Sequence, residues 1–226
     1  MTPLRRWVGL GVCALAVASS GCNLLSLPFF LMGPDPSVPP SMHRLATENK
    51  DQTVRVAVLA SSNLPVSDQL SRVDRELSAR VFTHLRDLCK HNKENVEVVP
   101  VNVVERYKNK NPDWDQPLDL VKIGKDLKVK YVIYLEINSL SLYVPKSSNS
   151  LYQGETDIKV TLVNTKKAAD DLPDYDECHE TYPSTPIDIS GDPNPLAFRS
   201  KFLDHVAERI AWKFTAHSPE KDYVSE

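Results

Sequence analysis

The spacing of apolar residues changes twice in the first half of the chain, and each change marks a predicted element. Residues 54–60 form an apolar run that is interrupted only by Arg55, which predicts a buried strand. A stripe with three- or four-residue spacing then predicts a long amphipathic helix capped by Ser67; its members are Leu70, Val73, Leu77, Val81, Leu85 and Leu88. Residues 95–101 alternate and predict a short second strand.

The middle of the chain predicts a second helix followed by a long hairpin. Pro117 opens a helix whose apolar face is Leu120, Ile123 and Leu127, and Gly124 allows this helix to approach a sheet closely. Apolar residues then occupy the odd positions of residues 129–137, and beyond Ser139 they occupy even positions. A shift of one residue would turn the apolar face into water, so we expect a β-bulge within residues 138–140.

The hairpin and the carboxyl-terminal part complete the predicted fold. Residues 146–150 form the turn, and residues 152–162 return as an antiparallel partner. Residues 170–191 are acidic and proline-rich, with one weak strand at 175–181, and Asn194 caps a last helix striped by Phe198, Phe202, Val206, Ile210 and Phe214. The expected fold class is α/β: a small mixed sheet with a long β-hairpin, covered by about three helices mainly on one face.

One segment resembles known envelope domains. Residues 120–134, LVKIGKDLKVKYVIY, resemble the helix-then-strand element of three groups: the periplasmic domain of the curli secretion lipoprotein, the amino-terminal domain of the Tol translocation protein, and lipoprotein activators of peptidoglycan synthases. The order of elements in residues 54–164 matches as well. The resemblance implies a fold and supplies no functional residue.

The amino terminus has the pattern of an export signal. Residues 2–6 contain Arg5 and Arg6, residues 7–18 are apolar, and small residues precede Cys22. The apolar run is shorter than the roughly 20 residues of a membrane-spanning helix. The segment Ser19-Ser20-Gly21-Cys22 resembles the lipobox of bacterial lipoproteins, which implies acylation of Cys22 and removal of residues 1–21. Secretion after ordinary cleavage nearby is the alternative.

The predicted domains follow from this amino terminus. We expect a signal peptide at residues 1–21, then an anchor, apolar patch and proline-rich linker at 22–50, one periplasmic domain at 51–217 and a polar tail at 218–226. The linker residues 33–50 could extend to about 55 Å. Asn23 follows the cysteine, and by resemblance to enterobacterial sorting this favours the outer membrane over the inner one.

Composition excludes some partners and motifs exclude the commonest chemistries. The chain has 27 basic and 30 acidic residues and no basic stripe, so we expect no nucleic-acid partner. It has no glycine-rich phosphate loop, no Gly-x-Ser-x-Gly elbow and no His-Glu-x-x-His helix. We therefore expect no cofactor and a protein that is not an enzyme.

Cysteines and histidines leave two alternatives open. Cys89 and Cys178 either form a disulfide or remain buried free thiols. A less favoured interpretation is a metal or thiol site built from His84, Cys89, His91, Cys178 and His179. The alternative is that His84 and His91 merely flank the apolar stripe near the end of the first helix. The acidic run that includes Asp170, Asp171, Asp174, Asp176 and Glu177 lacks the glycine and spacing of a calcium loop.

The tip of the predicted hairpin is unusually apolar. Leu142, Tyr143, Val144 and Pro145 enter the turn, and Leu151 and Tyr152 leave it. Hairpin tips are usually polar, so the cluster predicts either a surface for docking another envelope protein or a tip that folds back onto the domain. The expected function is a membrane-anchored, non-catalytic binding or assembly module, with a structural envelope spacer as the alternative.

Overall fold

The computed structural model of the protein describes residues 37–48, 51–65, 70–166, 173–189 and 194–219. Its strands are β1 (Val54–Ser62), β2 (Val96–Val98), β3 (Tyr131–Tyr143), β4 (Leu151–Asn164) and β5 (Asp174–Asp188). Its helices are α1 (Val73–His91), α2 (Val101–Lys110), α3 (Leu120–Asp126) and α4 (Pro195–Trp212). The α/β class predicted from the sequence is confirmed.

The strands form one mixed sheet in the order β2-β1-β3-β4-β5. β1 is parallel to both of its neighbours, whereas β3, β4 and β5 are joined as antiparallel neighbours. The predicted bulge is confirmed: Ile137 pairs with Ile158 and Ser139 with Asp157, so Asn138 is the extra residue. The buried hydroxyl of Thr156 donates to the Ser139 carbonyl at 2.7 Å and holds the bulge in place.

The larger core lies on one face of the sheet, under α1 and α4. The α1 stripe is buried there, as are Phe202, Val206 and Ile210 of α4, against alternating residues of β1, β3 and β4. Asn194 caps α4 as expected, because its side chain accepts from the backbone N–H groups of Leu196 and Ala197. α1 begins at Val73 after Arg72 in the left-handed conformation, and the predicted cap Ser67 lies outside the described residues.

A smaller core lies on the opposite face, under α2 and α3. Ala57, Leu59, Val132 and Tyr134 of the sheet pack there against Val104 and Ile123 of the helices. Gly124 provides the predicted close approach, since a Cβ at this position would lie 2.3 Å from Cγ2 of Thr165 and 2.7 Å from Cγ2 of Val132.

Two elements differ from the prediction. The sequence pattern gave no α2, although Val101, Val104 and Tyr107 follow a helical spacing after Pro100. The sequence predicts one weak strand at 175–181 in the acidic segment, whereas β5 spans fifteen residues and pairs along β4. The sequence pattern of β5 is weak because β5 is an edge strand, and most of its side chains are exposed or half-buried.

The sequence predicts an extended linker over residues 33–50, but residues 37–48 of it, here called the strap, pack on the domain. Val38 and His217 form a β-bridge, with N–H to carbonyl distances of 2.8 and 3.1 Å. Backbone N–H groups of Met42 and Leu45 donate to the carbonyls of Lys213 and Phe214, and Leu45 is 1% exposed. The strap therefore belongs to the folded domain, because its backbone and one apolar side chain are satisfied there.

Candidate functional site

Cys22 and the whole predicted signal peptide lie outside the described residues, as do the apolar patch and the first part of the linker. The acylation of Cys22 is therefore still a prediction. Across the described ranges from residue 37 to 219, no helix combines the length and apolar character that spanning a bilayer requires.

Both cysteines of the domain are buried free thiols. Cys89 lies at the end of α1 and is 1% exposed, and Cys178 lies on β5 and is 2% exposed. Burial raises the pKa of each thiol to about 12, and Glu94 adds to this effect at Cys89 as Glu180 does at Cys178. Of the two alternatives that the sequence left open, the structure has the free thiols.

The histidines of the suggested metal site lie apart. Nε2 of His84 is 3.0 Å from Asp204 of α4, whereas Nδ1 of His179 is 3.7 Å from Asp157 on β4. His91 is exposed at the end of α1. Within the described residues, no group of three or more His, Cys, Asp or Glu side chains is placed to hold a metal ion.

The described residues of the acidic run lie along one strand rather than in a cluster. Asp170 and Asp171 lie outside the described residues, whereas Asp174, Asp176 and Glu177 are on β5. Neighbouring side chains of a strand point to opposite faces, so Asp176 and Glu177 do not converge. Asp176 instead contacts the ammonium of Lys213, and this hydrogen bond holds the pKa of Asp176 below its ordinary value.

The tip of the hairpin is more buried than a docking surface requires. Tyr152 is 1% exposed and stacks on Phe198 of α4, with ring centroids 4.7 Å apart, while Leu142 is also buried. These two residues are core, because α4 begins beside the hairpin and covers it. Tyr143, Val144 and Leu151 are half-buried and only Pro145 is exposed, so the alternative of a tip packed on the domain describes this region better.

A groove of about 440 Å³ lies on the α2–α3 face of the domain. Tyr107 and Trp114 provide aromatic walls, and polar groups of Asn111, Gln116 and Asp119 also line it. The Lys108 ammonium lies 4.7 Å from the centroid of the Trp114 ring. Aromatic walls with a few polar groups can bind a ligand or a segment of another protein.

The side chains behind the groove are held rigidly. Lys108 donates to the Ala60 carbonyl at 2.8 Å, and the Tyr107 hydroxyl donates to Asp126 at 3.2 Å. Ser61 and Tyr134 share a hydrogen bond of 2.6 Å, and burial raises the pKa of Tyr134 above its ordinary value. These hydrogen bonds hold Tyr107 and Lys108 in position at the groove.

A buried polar cluster around Glu94 holds the strap in place. The Glu94 side chain is 2% exposed and accepts from Arg44 of the strap, with Nη2 at 3.1 Å, and from the Thr215 hydroxyl at 2.8 Å. Asn92 donates to the Ala216 carbonyl at 2.7 Å. These contacts tie the strap, the end of α1 and the segment after α4 to each other.

Sequence reasoning missed both the strap and the groove. In the strap the pattern offers only scattered apolar residues among prolines and polar residues, which indicate a linker. In the groove the signal was present but weak: Tyr107 and Trp114 stand beside the helix that the pattern did not predict.

The comparisons with known proteins reach only the fold. No protein-family model and no curated protein sequence matches the chain. A PelC variant dodecamer from Paraburkholderia phytofirmans is similar at 8% identity and a TM-score of 0.43, covering 81% of this chain and 99% of that one. The likeness concerns the fold alone.

Two further solved structures are similar to a comparable degree. Lipoprotein GNA1162 from Neisseria meningitidis has 15% identity and a TM-score of 0.39, covering 70% of this chain and 98% of that one. Protein XCC0632 from Xanthomonas campestris has 8% identity and a TM-score of 0.37, and the match covers 77% of this chain and 89% of that one.

Proposed function

We propose that this protein is a bacterial envelope lipoprotein, held to a membrane through acylated Cys22, whose domain is a non-catalytic binding module in the periplasm. The observation that carries the proposal is the amino-terminal pattern: two arginines, an apolar run, and small residues before Cys22. Several acyl chains would hold the protein firmly, because each buried methylene contributes about 0.8 kcal/mol and a single chain anchors only marginally.

Mass spectrometry of the mature amino terminus tests the anchor. We expect residues 1–21 to be absent and Cys22 to carry acyl groups. Cys22→Ser should abolish acylation, and Cys13→Ser is the matched control because it lies in the segment that is removed. An intact Met1 or an unmodified Cys22 in the membrane-bound protein would contradict the proposal.

The proposal of the outer membrane rests on the residue after the cysteine. Asn23 supports outer-membrane residence by resemblance to enterobacterial sorting, in which an Asp at this position retains the protein at the inner membrane. In an enterobacterial host, Asn23→Asp should move the protein to the inner-membrane fraction of a density gradient, and Asn23→Ser should not. Equal distribution of the two variants would count against the assignment.

The binding role is proposed for the groove beside α2 and α3 rather than for the hairpin tip. Trp114 is half-buried there, and tryptophan and tyrosine provide large contact areas in protein interfaces. Capture from detergent-solubilised envelopes should recover a partner with the wild type and lose it with Trp114→Ala. Tyr175→Ala is the control, since Tyr175 is 68% exposed on β5.

The same experiment separates binding from a purely structural role. If the protein is a spacer without a specific partner, the capture experiment should recover no protein reproducibly. Loss of capture counts only if the melting temperature of the Trp114→Ala protein stays near that of the wild type, because Trp114 also packs edge-on against Tyr134 with ring centroids 6.4 Å apart.

A further inference from the structure

Two aromatic rings form the apolar part of the groove beside α2 and α3. Tyr107 lies on α2, and its hydroxyl donates to Asp126 at 3.2 Å. Trp114 lies between the two helices, where the Lys108 ammonium is 4.7 Å from its ring centroid and Tyr134 meets it edge-on at 6.4 Å. Trp114 is only half-buried and lines the groove, so part of its ring is open to a ligand. The groove therefore offers electron-rich ring surface, against which C–H groups pack.

Polar side chains surround these rings, and several of them have free hydrogen-bonding atoms. Asn111 donates its side-chain amide to the Tyr107 carbonyl at 2.9 Å, which leaves its own Oδ1 as an acceptor. Among the described residues, none pairs with the Asp113 carboxylate or with the side-chain amide of Gln116, and both side chains are exposed. The groove therefore has free acceptors and a free donor beside its aromatic rings.

The charged residues that line the groove balance each other. Lys110 and Lys122 are its basic residues, and Asp113 and Asp119 are its acidic ones. All four side chains are exposed. The lining thus has no net charge, so its electrostatic field does not select an anion or a cation. We expect a ligand bound here to be neutral.

A neutral ligand that fits this lining must combine an apolar face with groups that both donate and accept hydrogen bonds. A saccharide ring has both, because its faces carry C–H groups and each hydroxyl has one donor and two acceptor lone pairs. A proline-rich segment also binds aromatic grooves, but its prolines have no backbone N–H and would leave Asp113 and Asn111 without a donor. The lining therefore favours a saccharide.

We propose that the groove beside α2 and α3 binds a neutral saccharide, with a sugar ring against Trp114 and sugar hydroxyls donating to Asp113 and Asn111. The proposal rests on the binding role proposed above for this groove and names the class of its ligand. Hydrogen bonds to a charged group are stronger than those between neutral groups, so Asp113 is the polar residue on which the affinity depends most.

Saturation-transfer NMR tests the site in the mature acylated protein, held in a detergent without sugar headgroups. The probes are neutral trisaccharides: maltotriose, cellotriose and the trimer of N-acetylglucosamine. We expect at least one to bind with a dissociation constant of about 1 mM, since an open groove contacts only part of a ligand. Its ring C–H protons should receive most of the saturation, because they face the aromatic rings. Salt up to about 0.5 M should change the affinity less than about twofold, because the lining has no net charge.

Two substitutions at the groove, each with a matched control, locate the bound sugar. Trp114→Ala should weaken binding by at least about tenfold, whereas Tyr175→Ala should not change it, because Tyr175 is 68% exposed on β5. Asp113→Ala should weaken binding by about tenfold, through loss of a charged hydrogen-bond acceptor. Asp174→Ala removes the same charge from an exposed site at the start of β5 and should leave the affinity unchanged. Because the Asp113 side chain pairs with no described group, this variant tests the site even if Trp114→Ala does not fold.

The results separate the class of ligand from the binding role itself. If no trisaccharide binds while capture from envelopes still depends on Trp114, the groove binds a protein; the saccharide proposal is then overturned, whereas the proposed function stands. Absence of both would contradict the proposed function as well. Equal affinity of the wild type and the Asp113→Ala protein would place the sugar elsewhere and overturn the site.

Discussion

Gly154 shows at the residue scale how tightly α4 packs on the sheet. A Cβ there would lie 2.4 Å from Cγ of the Phe202 ring, which is fully buried. We expect Gly154→Ala to lower the free energy of unfolding by about 1–3 kcal/mol through overpacking. Denaturant unfolding measures this loss.

A double variant checks the cause of that loss. Phe202→Ala removes the ring atoms that the new methyl group would meet, so Gly154→Ala should cost less in the Phe202→Ala background than in the wild type. An equal cost in both backgrounds would show that the methyl group acts elsewhere.

The two buried thiols give a second prediction at this scale. With a pKa of about 12, roughly one thiol in ten thousand is ionised at pH 8, and both sulfurs are also shielded. In protein carrying Cys22→Ser and lacking residues 1–21, a water-soluble thiol reagent should react slowly in the native state and with two thiols in denaturant. Cys89→Ala and Cys178→Ala should each leave one; no reactive thiol in denaturant would indicate a disulfide.

Among elements, the strap is the part whose removal tests the domain boundary. Leu45 is 1% exposed, and Leu→Ala at buried sites costs about 2–5 kcal/mol. We expect Leu45→Ala to lower the free energy of unfolding within this range, as measured by denaturant unfolding. Val103→Ala is the control, since Val103 is 38% exposed on α2 and should change stability little. Similar small effects of both would mean that the strap is dispensable.

The contact between α1 and α4 predicts sensitivity to acid. Burial raises the pKa of Glu76, but hydrogen bonds and charges from Arg80 and Arg199 outweigh this, so the pKa lies below its ordinary value of 4.5. A lowered folded-state pKa means that stability is present above pH 4.5 and is lost as the pH falls through the folded-state value. Asp176 acts in the same direction through Lys213.

Melting temperatures between pH 6 and pH 3 measure this effect. Glu76→Gln should melt lower at pH 6 and lose less on acidification than the wild type, because it has no carboxylate to protonate. Glu208→Gln is a comparison on the same helix pair, since its side chain lies on α4 outside the Glu76 cluster. Parallel curves for the wild type and Glu76→Gln would contradict the assignment.

Elements with one strong apolar face were predictable, and elements without one were not. The α1 stripe, the alternation of β3 and β4, and the bulge all follow from periodicity, because their buried positions are regular. α2 has only one fully buried residue, Val104, and β5 is held by its partner strand rather than by apolar side chains. Their structure depends on contacts with the rest of the fold.

For the candidate sites, the sequence indicated chemistry but could not place it. The sequence of an apolar tip is the same whether Tyr152 faces water or packs on Phe198. Only the position of α4 distinguishes these two arrangements. Histidines and cysteines are also typical of metal sites, but His84, His179 and the two cysteines lie in different places. The class of the domain was thus predictable, and its surfaces were not.

At the scale of the whole molecule, the free edge of β5 is protected against pairing with other chains. Pro183 and Pro186 lack backbone donors within this strand, and its first half has the acidic residues Asp174, Asp176 and Glu177. Both features discourage edge-to-edge association. The other edge, β2, has only three residues.

The bridge between Val38 and His217 also imposes an order of folding. A ribosome makes the chain from its amino terminus, so the strap emerges early, yet its partners Lys213, Phe214 and His217 are nearly the last described residues to be made. Contacts this distant in sequence form slowly, whereas the β3–β4 hairpin needs only its own turn. The strap must therefore wait, undocked, until residues 213–217 have been made, and only then can it dock on the segment that follows α4.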